Sequence, residues 1–205
     1  MLSLVHRFLF VHVPKTAGNA VHRVLLPYSE DRMVQASPYH DGVDRFEVSS
    51  PHFEMHKHLS LAEYRDRLAP AVFDGVFKFC CVRNPWDRCV SYFFSPHRGR
   101  VEWTPQAFEA FVEKQVLPAE AYVRLTPDEV DPFSNMDAVL RFEHLDSDFS
   151  DVCHRIGVGP LKLPTVNADR HGDYRIYYGS KRLHERVRSK FAREIERFGY
   201  EFDRV

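Results

Sequence analysis

The sequence lacks several features that mark large classes of protein. It has only four cysteines in 205 residues, without a CxxC pair or the even spacing of a disulfide framework, so we expect reduced and mostly buried thiols. No apolar run approaches the roughly 20 residues that span a bilayer, and no charged leader precedes a long apolar segment. These absences predict a cytoplasmic protein without a membrane span.

An excess of charge of either sign is also missing. The formal net charge is -1, so composition gives no basis for bulk attraction to nucleic acid or to an anionic membrane. Any anion site must therefore be local. The length and the hydrophobic content of 44% allow one substantial core, which predicts a single domain over residues 1–205. The sequence does not indicate an oligomeric state.

Apolar runs alternate along the chain with segments of helical spacing. Strands are predicted at 6–13, 33–36, 75–82 and 138–142, and helices at 20–26, 60–68, 85–94, 105–116, 118–124, 144–156 and 180–198. This order predicts an α/β fold with a mainly parallel sheet flanked by helices. Ligands in such folds bind beyond the carboxyl ends of the strands.

The first predicted strand ends in a loop of small residues with one lysine. The loop reads Pro14, Lys15, Thr16, Ala17, Gly18, Asn19 and Ala20. Because a helix begins near its end, the unpaired amides and the helix dipole favour an anion, and Lys15 adds a positive charge. The spacing is not that of a Walker A motif, which disfavours an ordinary ATPase or GTPase. The alternative is a tight turn with Lys15 as a solvated surface residue.

A second candidate anion site follows the strand predicted at 75–82. Arg83 comes directly after this strand, and Ser91 lies about two turns along the helix that Pro85 begins. A guanidinium group and a hydroxyl group in these positions can hold a phosphate. The alternative is a structural salt bridge from Arg83 to an acidic residue, with Ser91 as a packing residue.

The two segments together resemble the cofactor signatures of sulfotransferases that use 3'-phosphoadenosine 5'-phosphosulfate (PAPS). Residues 14–18 are similar to the family's 5'-phosphosulfate loop, and residues 83–91 to its 3'-phosphate motif. The resemblance extends to residues 140–145 and 195–202, and it is strongest to bacterial and carbohydrate sulfotransferases, including the uronyl 2-O enzymes. Asn19 departs from the pattern, because the family usually has Ser or Thr there.

The resemblance implies a P-loop-like fold and in-line transfer of a sulfuryl group to a hydroxyl acceptor on a saccharide or glycoconjugate. The product of the donor would be 3'-phosphoadenosine 5'-phosphate (PAP). It also implies that Lys15 holds the 5'-phosphosulfate with residues 16–20 and stabilises the leaving oxygen, and that Arg83 and Ser91 hold the 3'-phosphate.

A base is needed to take the proton of the acceptor hydroxyl, and histidine suits this task near neutral pH. His58 precedes a predicted helix, whose dipole would favour the neutral imidazole. The resemblance supports His58 and makes His56 an alternative through the H-x-H pattern of the uronyl enzymes, with Glu54 as a third candidate. Other readings are ordinary loop histidines, or metal ligands together with His52, although no carboxylate or cysteine completes a metal site. His12, inside a strand, is expected to be a satisfied core residue.

Other assignments come from the tail and from competing functions. The segment 167–178 resembles the family's loop over the cofactor, where Arg170 or Arg175 would close on a phosphate or serve as a surface charge. A nucleotide kinase with a degenerate phosphate loop would require ATP and magnesium. A non-catalytic nucleotide-binding module would bind PAPS without turnover.

Overall fold

The computed structural model of the chain describes residues 1–34, 45–164 and 171–203. Its strands are β1 (Leu2–Ser3), β2 (Phe8–Val11), β3 (Arg32–Val34), β4 (Glu47–Ser49), β5 (Phe77–Val82) and β6 (Ala138–Arg141). Its α-helices are α1 (Gly18–Leu25), α2 (Leu61–Arg67), α3 (Pro70–Gly75), α4 (Pro85–Phe93), α5 (Pro105–Gln115), α6 (Glu120–Val123), α7 (Leu145–Arg155), α8 (Lys181–Lys190) and α9 (Ala192–Phe198). Short 3-10 helices are formed by Leu26–Tyr28, Pro96–Arg98, Pro132–Asn135, Phe142–His144 and Tyr174–Tyr177.

The helices are short. The longest of those described, α5 and α7, have 11 residues each. In the described ranges no helix has both the length and the apolar character that crossing a membrane requires.

The chain forms two compact units. The first unit comprises Met1–Val82 and Glu120–Asn167, and the second comprises Arg83–Ala119 and Ala168–Val205. The single domain expected over residues 1–205 stays a prediction.

The first unit contains a sheet with the strand order β1-β2-β5-β6. Strand β2 pairs in parallel with β5, and β5 pairs in parallel with β6, while the two-residue β1 runs antiparallel to β2. All four residues of β2 are buried, as expected for a parallel strand covered on both faces. The prediction of an α/β fold with a mainly parallel sheet is confirmed.

Helices α1 and α7 supply apolar side chains to the core of this unit. Phe10 of β2 and Phe79 of β5 lie with their ring centroids 5.0 Å apart. The core cluster also includes Val21 and Leu25 from α1 and Phe149 from α7, all buried. Because β2 leads into α1 after only a short loop, packing of α1 on the sheet fixes the position of that loop.

The second unit is helical in the described residues. Helices α4, α5 and α8 surround an aromatic core, in which Trp86, Phe108 and Phe191 are buried. The guanidinium of Arg88 lies in this core and contacts the carboxylate of Glu194 at 3.2 Å (Nη1 to Oε2). Glu194 also accepts a hydrogen bond from the amide of Ala119, so the buried pair ties α4 and α9 to the end of the 116–119 segment.

The cysteines are fully buried, reduced thiols, as the sequence predicts. Burial raises the pKa of Cys89 to about 12 and also raises the pKa of Cys81. The four thiols belong to Cys80, Cys81, Cys89 and Cys153.

Some predicted boundaries were wrong. The tail helix is divided into α8 and α9 at Phe191, whose buried ring lies against the Arg88 guanidinium at 5.4 Å. The helix predicted at 118–124 covers only Glu120–Val123. Three strands or α-helices were missed, namely β1, which pairs with β2, α3, which begins at Pro70, and β4, which pairs with β3. Residues 35 and 36 of the short strand predicted at 33–36 lie outside the described residues.

Candidate functional site

The loop between β2 and α1 has an unusual backbone. Lys15 and Ala17 have φ angles of 68° and 67°, in the left-handed region that residues with a Cβ rarely adopt. Lys15 is partly exposed, whereas Pro14 is buried. Alternation of left- and right-handed residues turns successive amide groups toward a common point, an arrangement that binds anions.

Hydrogen bonds inside the loop assign different tasks to its residues. The buried hydroxyl of Thr16 donates to the carbonyl of Val13 at 2.9 Å, so this side chain fastens the loop to the end of β2. The amide of Ala20 donates to the carbonyl of Ala17 at 2.9 Å as part of the first turn of α1. Asn19 is partly exposed and follows Gly18, the first residue of α1.

Gly18 is required by its close contact with a histidine ring. A Cβ atom at this position would lie 2.0 Å from both Cδ2 and Nε2 of His12. Any larger residue would displace either the ring or the start of α1. The glycine therefore permits packing of the loop against His12, in addition to the close approach to an oxygen that the sequence suggested.

His12 contacts two further histidines. Its ring centroid lies 4.4 Å from that of His58 and 5.0 Å from that of His22. His12 is buried as expected, but its Nδ1 has no hydrogen-bond partner within the described part of the chain. Neither ring nitrogen of His22 has a partner there. His12 is thus a core residue as predicted, but its Nδ1 is not satisfied by a described residue. Burial lowers the pKa of His12 and of His22 well below 6.5, which keeps both rings neutral.

His58 is held by a hydrogen bond to the backbone of His12. Its Nδ1 lies 3.1 Å from the carbonyl oxygen of His12. Because a carbonyl oxygen only accepts, Nδ1 carries the hydrogen and the lone pair of the neutral ring is on Nε2. Burial lowers the pKa of His58 to about 4, against the hydrogen bond to His12, which raises it. Burial, rather than the helix dipole that the sequence suggested, is the largest cause.

The neighbours of His58 differ strongly in exposure. His56 is exposed, and its Nε2 lies 3.7 Å from Oε1 of Glu63, the carboxylate of the α2 capping box. Lys57 is buried, with Nζ donating to the carbonyl of Phe46 at 2.8 Å and lying 4.3 Å from the centroid of that ring. Its charge is one of the causes that lower the pKa of His58. Glu54 is exposed.

In the second unit, Arg83 contacts an aspartate at the start of α4. Its Nε and Nη2 donate to Oδ2 of Asp87 at 2.8 and 2.7 Å. His171 lies on the other side of this carboxylate, with Nε2 3.7 Å from Oδ1. The salt bridge considered as an alternative for Arg83 therefore exists, and it orients the guanidinium group.

Two other predicted residues of this unit occupy different surroundings. Ser91 is buried on α4. Arg175 is exposed and donates through Nε to Oδ1 of Asp173 at 2.8 Å, and through Nη1 to the carbonyl of Asp203 at 3.3 Å. Arg170 lies outside the described residues.

In the first unit, the ring of His12 contacts both Gly18 of the loop and His58. In the second unit, Arg83 contacts Asp87. Sequence reasoning missed His12, His22, Asp87 and His171 as members of these clusters. Only Asp87 had a local signal, because residues four apart face each other on a helix. Within the described ranges no cluster of three or more His, Cys, Asp and Glu residues is arranged to hold a metal ion.

Comparisons with known proteins give these segments a context. A model of the sulfotransferase family matches residues 1–116, a span that contains both anion-site segments and the 52–58 histidines. The chain is 28% identical over 116 residues to an uncharacterized protein of Archaeoglobus fulgidus, an alignment that covers 54% of this chain and 92% of the relative. No solved structure matches.

Proposed function

Because this chain belongs to the sulfotransferase family, we propose that it transfers a sulfuryl group from PAPS to the hydroxyl group of an acceptor. The loop after β2 carries the proposal. Left-handed backbone at Lys15 and Ala17 costs about 1–2 kcal/mol per residue, and strain of this kind is concentrated at functional sites. Binding of an anionic phosphosulfate gives the strained loop a function that a simple turn would not need.

The residues available suit a nucleotide with phosphates at two positions. Lys15 and the amides of the loop would hold the 5'-phosphosulfate, and the amide of Asn19 would take the place of a hydroxyl donor. Arg83, with Ser91, would hold the 3'-phosphate through charge-assisted hydrogen bonds. Arg175 would need to release Asp173 before it could contact a phosphate.

PAPS supplies the sulfuryl group, and the 5'-phosphate of PAP is the leaving group. Nε2 of His58 takes the proton of the acceptor hydroxyl as the acceptor oxygen bonds to sulfur and the bond from sulfur to the phosphate oxygen breaks. Lys15 offsets the negative charge that develops on the departing oxygen. Burial of His58 keeps its lone pair unprotonated before this step. His56 is the alternative base, and Glu54 a third.

The acceptor class is proposed from the H-x-H pattern formed by His56 and His58. This pattern resembles that of the uronyl 2-O enzymes and favours a saccharide or glycoconjugate. Residues 35–44 lie outside the described residues.

Labelled-sulfate transfer from PAPS to a panel of saccharides, lipids and small alcohols tests the proposal, together with calorimetric titration of PAP. We expect PAP binding and labelled product with at least one saccharide. Turnover of ATP with magnesium and no transfer from PAPS would favour the kinase. Binding of PAP without transfer to any member of the panel would favour the non-catalytic module.

A further inference from the structure

The ring of His12 lies between the phosphate loop and the candidate base. On one side, a Cβ at Gly18 would lie 2.0 Å from the ring, so the start of α1 is in direct contact with it. On the other side, the ring of His58 is 4.4 Å away between centroids, at an interplanar angle of 55°. His12 therefore touches both elements that the proposed reaction must align.

The backbone of the same residue makes the second link. The carbonyl oxygen of His12 accepts the hydrogen bond from Nδ1 of His58, which fixes both the tautomer and the direction of the imidazole. His12 follows β2 directly, so its position is set by an inner strand of the four-stranded sheet. The base is thus attached to the residue that directly follows a fully buried strand.

We propose that His12 is a positioning residue that holds the base, His58, in register with the phosphate loop. Its carbonyl sets the tautomer, and its ring transmits the position of the loop to the imidazole. The catalytic part of this inference rests on the proposed function. The coupling of the loop to His58 through His12 can be measured in the absence of any reaction.

The chemistry of the ring distinguishes positioning from proton transfer. Nδ1 of His12 has no partner in the described residues, and the pKa of its ring is far below neutrality. The ring therefore acts through its shape and contacts. A phenyl ring at this position should support His58 nearly as well, whereas a methyl group should not.

The closing experiment combines His12→Ala, His12→Phe, Gly18→Ala and the double variant Gly18→Ala/His12→Ala. Histidine-selective NMR titration of the apo protein follows His58, with the exposed His154 as an internal control. Calorimetric titration measures the affinity of the loop for PAP. The rate of sulfuryl transfer is measured with the acceptor identified in the panel. His12→Ala is also measured in the His58→Ala background.

In the apo protein, Gly18→Ala should change the His58 resonances through the displaced ring and leave those of His154 unchanged. It should also weaken PAP binding by about tenfold, which corresponds to losing one hydrogen bond to a charged group. Adding His12→Ala should restore PAP binding, because the smaller side chain removes the collision. In the same double variant the His58 resonances should still differ from those of the wild-type protein, because the ring of His12 is absent.

The transfer rate should separate positioning from stability. His12→Ala should lower kcat by about a hundredfold with little change in the KM for PAPS, as expected for a misplaced catalytic group. His12→Phe should retain most of the rate. His12→Ala should lower the residual rate no further in the His58→Ala background, because its effect passes through His58.

Three results would overturn the inference. These are unchanged His58 resonances in Gly18→Ala, an equal loss of rate from His12→Ala with and without His58, and a His12→Phe variant as impaired as His12→Ala. If the alanine variants do not fold, NMR titration of the wild-type protein with PAP replaces them. The inference then requires that PAP binding at the loop shifts the His12 and His58 signals together, and a shift of neither or of only one would overturn it. Absence of PAP binding and transfer would instead refute the proposed function, while the apo Gly18→Ala spectra would still test the link.

Discussion

At the scale of single residues, the histidines of the first unit differ in what they can do with a proton. His58 has a defined tautomer and a lowered pKa. His12 and His22 are buried, and within the described residues one ring nitrogen of His12 and both of His22 have no hydrogen-bond partner. A base needs an available lone pair, which His58 has at Nε2. The rings of His12 and His22 pack in the interior. Because burial disfavours their protonation, the free energy of unfolding falls as the pH is lowered.

Replacing His58 by Ala should lower kcat by about 100- to 10,000-fold, the usual contribution of a general base. The wild-type kcat should stay constant from pH 8 down to about 5.5 and decline only near the pKa of about 4. Rates measured across this range with saturating PAPS test both statements, with His154→Ala as the control. An acid limb near pH 6.5, or wild-type rates in the single and double alanine variants of His56 and His58, would contradict the assignment.

His22 should make the folded state sensitive to acid. Burial lowers its pKa in the folded protein, so the unfolded chain binds a proton from about pH 6.5 downward that the folded chain does not. The free energy of unfolding should fall as the pH is lowered from 7 to 5. His22→Phe should reduce this slope by up to about 1.4 kcal/mol per pH unit. Urea unfolding at both pH values measures it, and His154→Gln should keep the wild-type slope.

Arg83 should recognise phosphate through its planar guanidinium group. Asp87 fixes that group through two nitrogens, an orientation that the flexible ammonium of lysine cannot reproduce. Arg83→Lys should weaken PAP binding by roughly 10- to 100-fold, equivalent to about 1.5–3 kcal/mol. Calorimetric titration provides the measurement, with the exposed Arg188→Lys as a matched control. Unchanged affinity would leave Arg83 with a structural role only.

At the scale of elements, the loop between β2 and α1 combines backbone strain with the anion-binding role proposed for it. Ala17 adopts a left-handed conformation that glycine would adopt without a steric penalty. Ala17→Gly should therefore raise the free energy of unfolding by up to about 1 kcal/mol, once the greater freedom of the unfolded chain is subtracted. The same change should weaken PAP binding, because a looser loop orients its amides less well.

Urea unfolding and PAP calorimetry on one preparation check this pair of effects. Ala107→Gly offers a control at an exposed position on α5, where glycine should destabilise by about 1 kcal/mol. Loss of stability in Ala17→Gly would mean that the loop is not strained.

Local signals explain why some elements were predictable. Both hydrogen bonds of the capping box between Ser60 and Glu63 are present, and α4 begins at Pro85 as expected. The division of the tail helix was not predictable, because it depends on burial of Phe191 against residues distant in sequence. Pairing of β3 with β4 is likewise non-local.

The candidate site follows the same rule. Lys15, Arg83 and His58 could be proposed from the sequence because each occurs in a recognisable segment. His12 was not, since its importance depends on contacts with Gly18 and His58, of which the latter is 46 residues away.

At the scale of the whole molecule, the second unit depends on a buried charge pair. Glu194 is fully buried and connects Arg88 with the amide of Ala119. Glu194→Leu leaves the guanidinium without its counter-charge and should destabilise by about 3–5 kcal/mol, whereas Arg88→Met/Glu194→Leu should cost much less.

Tryptophan fluorescence during urea unfolding is well suited to this test. The two tryptophans of the sequence, Trp86 and Trp103, both belong to the second unit, so the signal reports on that unit directly. Equal destabilisation by the single and double changes would show that packing volume, rather than the uncompensated charge, dominates.

Burial of every cysteine has a practical consequence for chemical labelling. Thiol reagents attack the thiolate, and all four thiols are fully buried, with burial raising the pKa of three of them, Cys81, Cys89 and Cys153. The native protein should therefore remain unmodified by maleimides. A cysteine introduced by Lys181→Cys, at an exposed position on α8, would then accept a single fluorophore without removal of the natural cysteines.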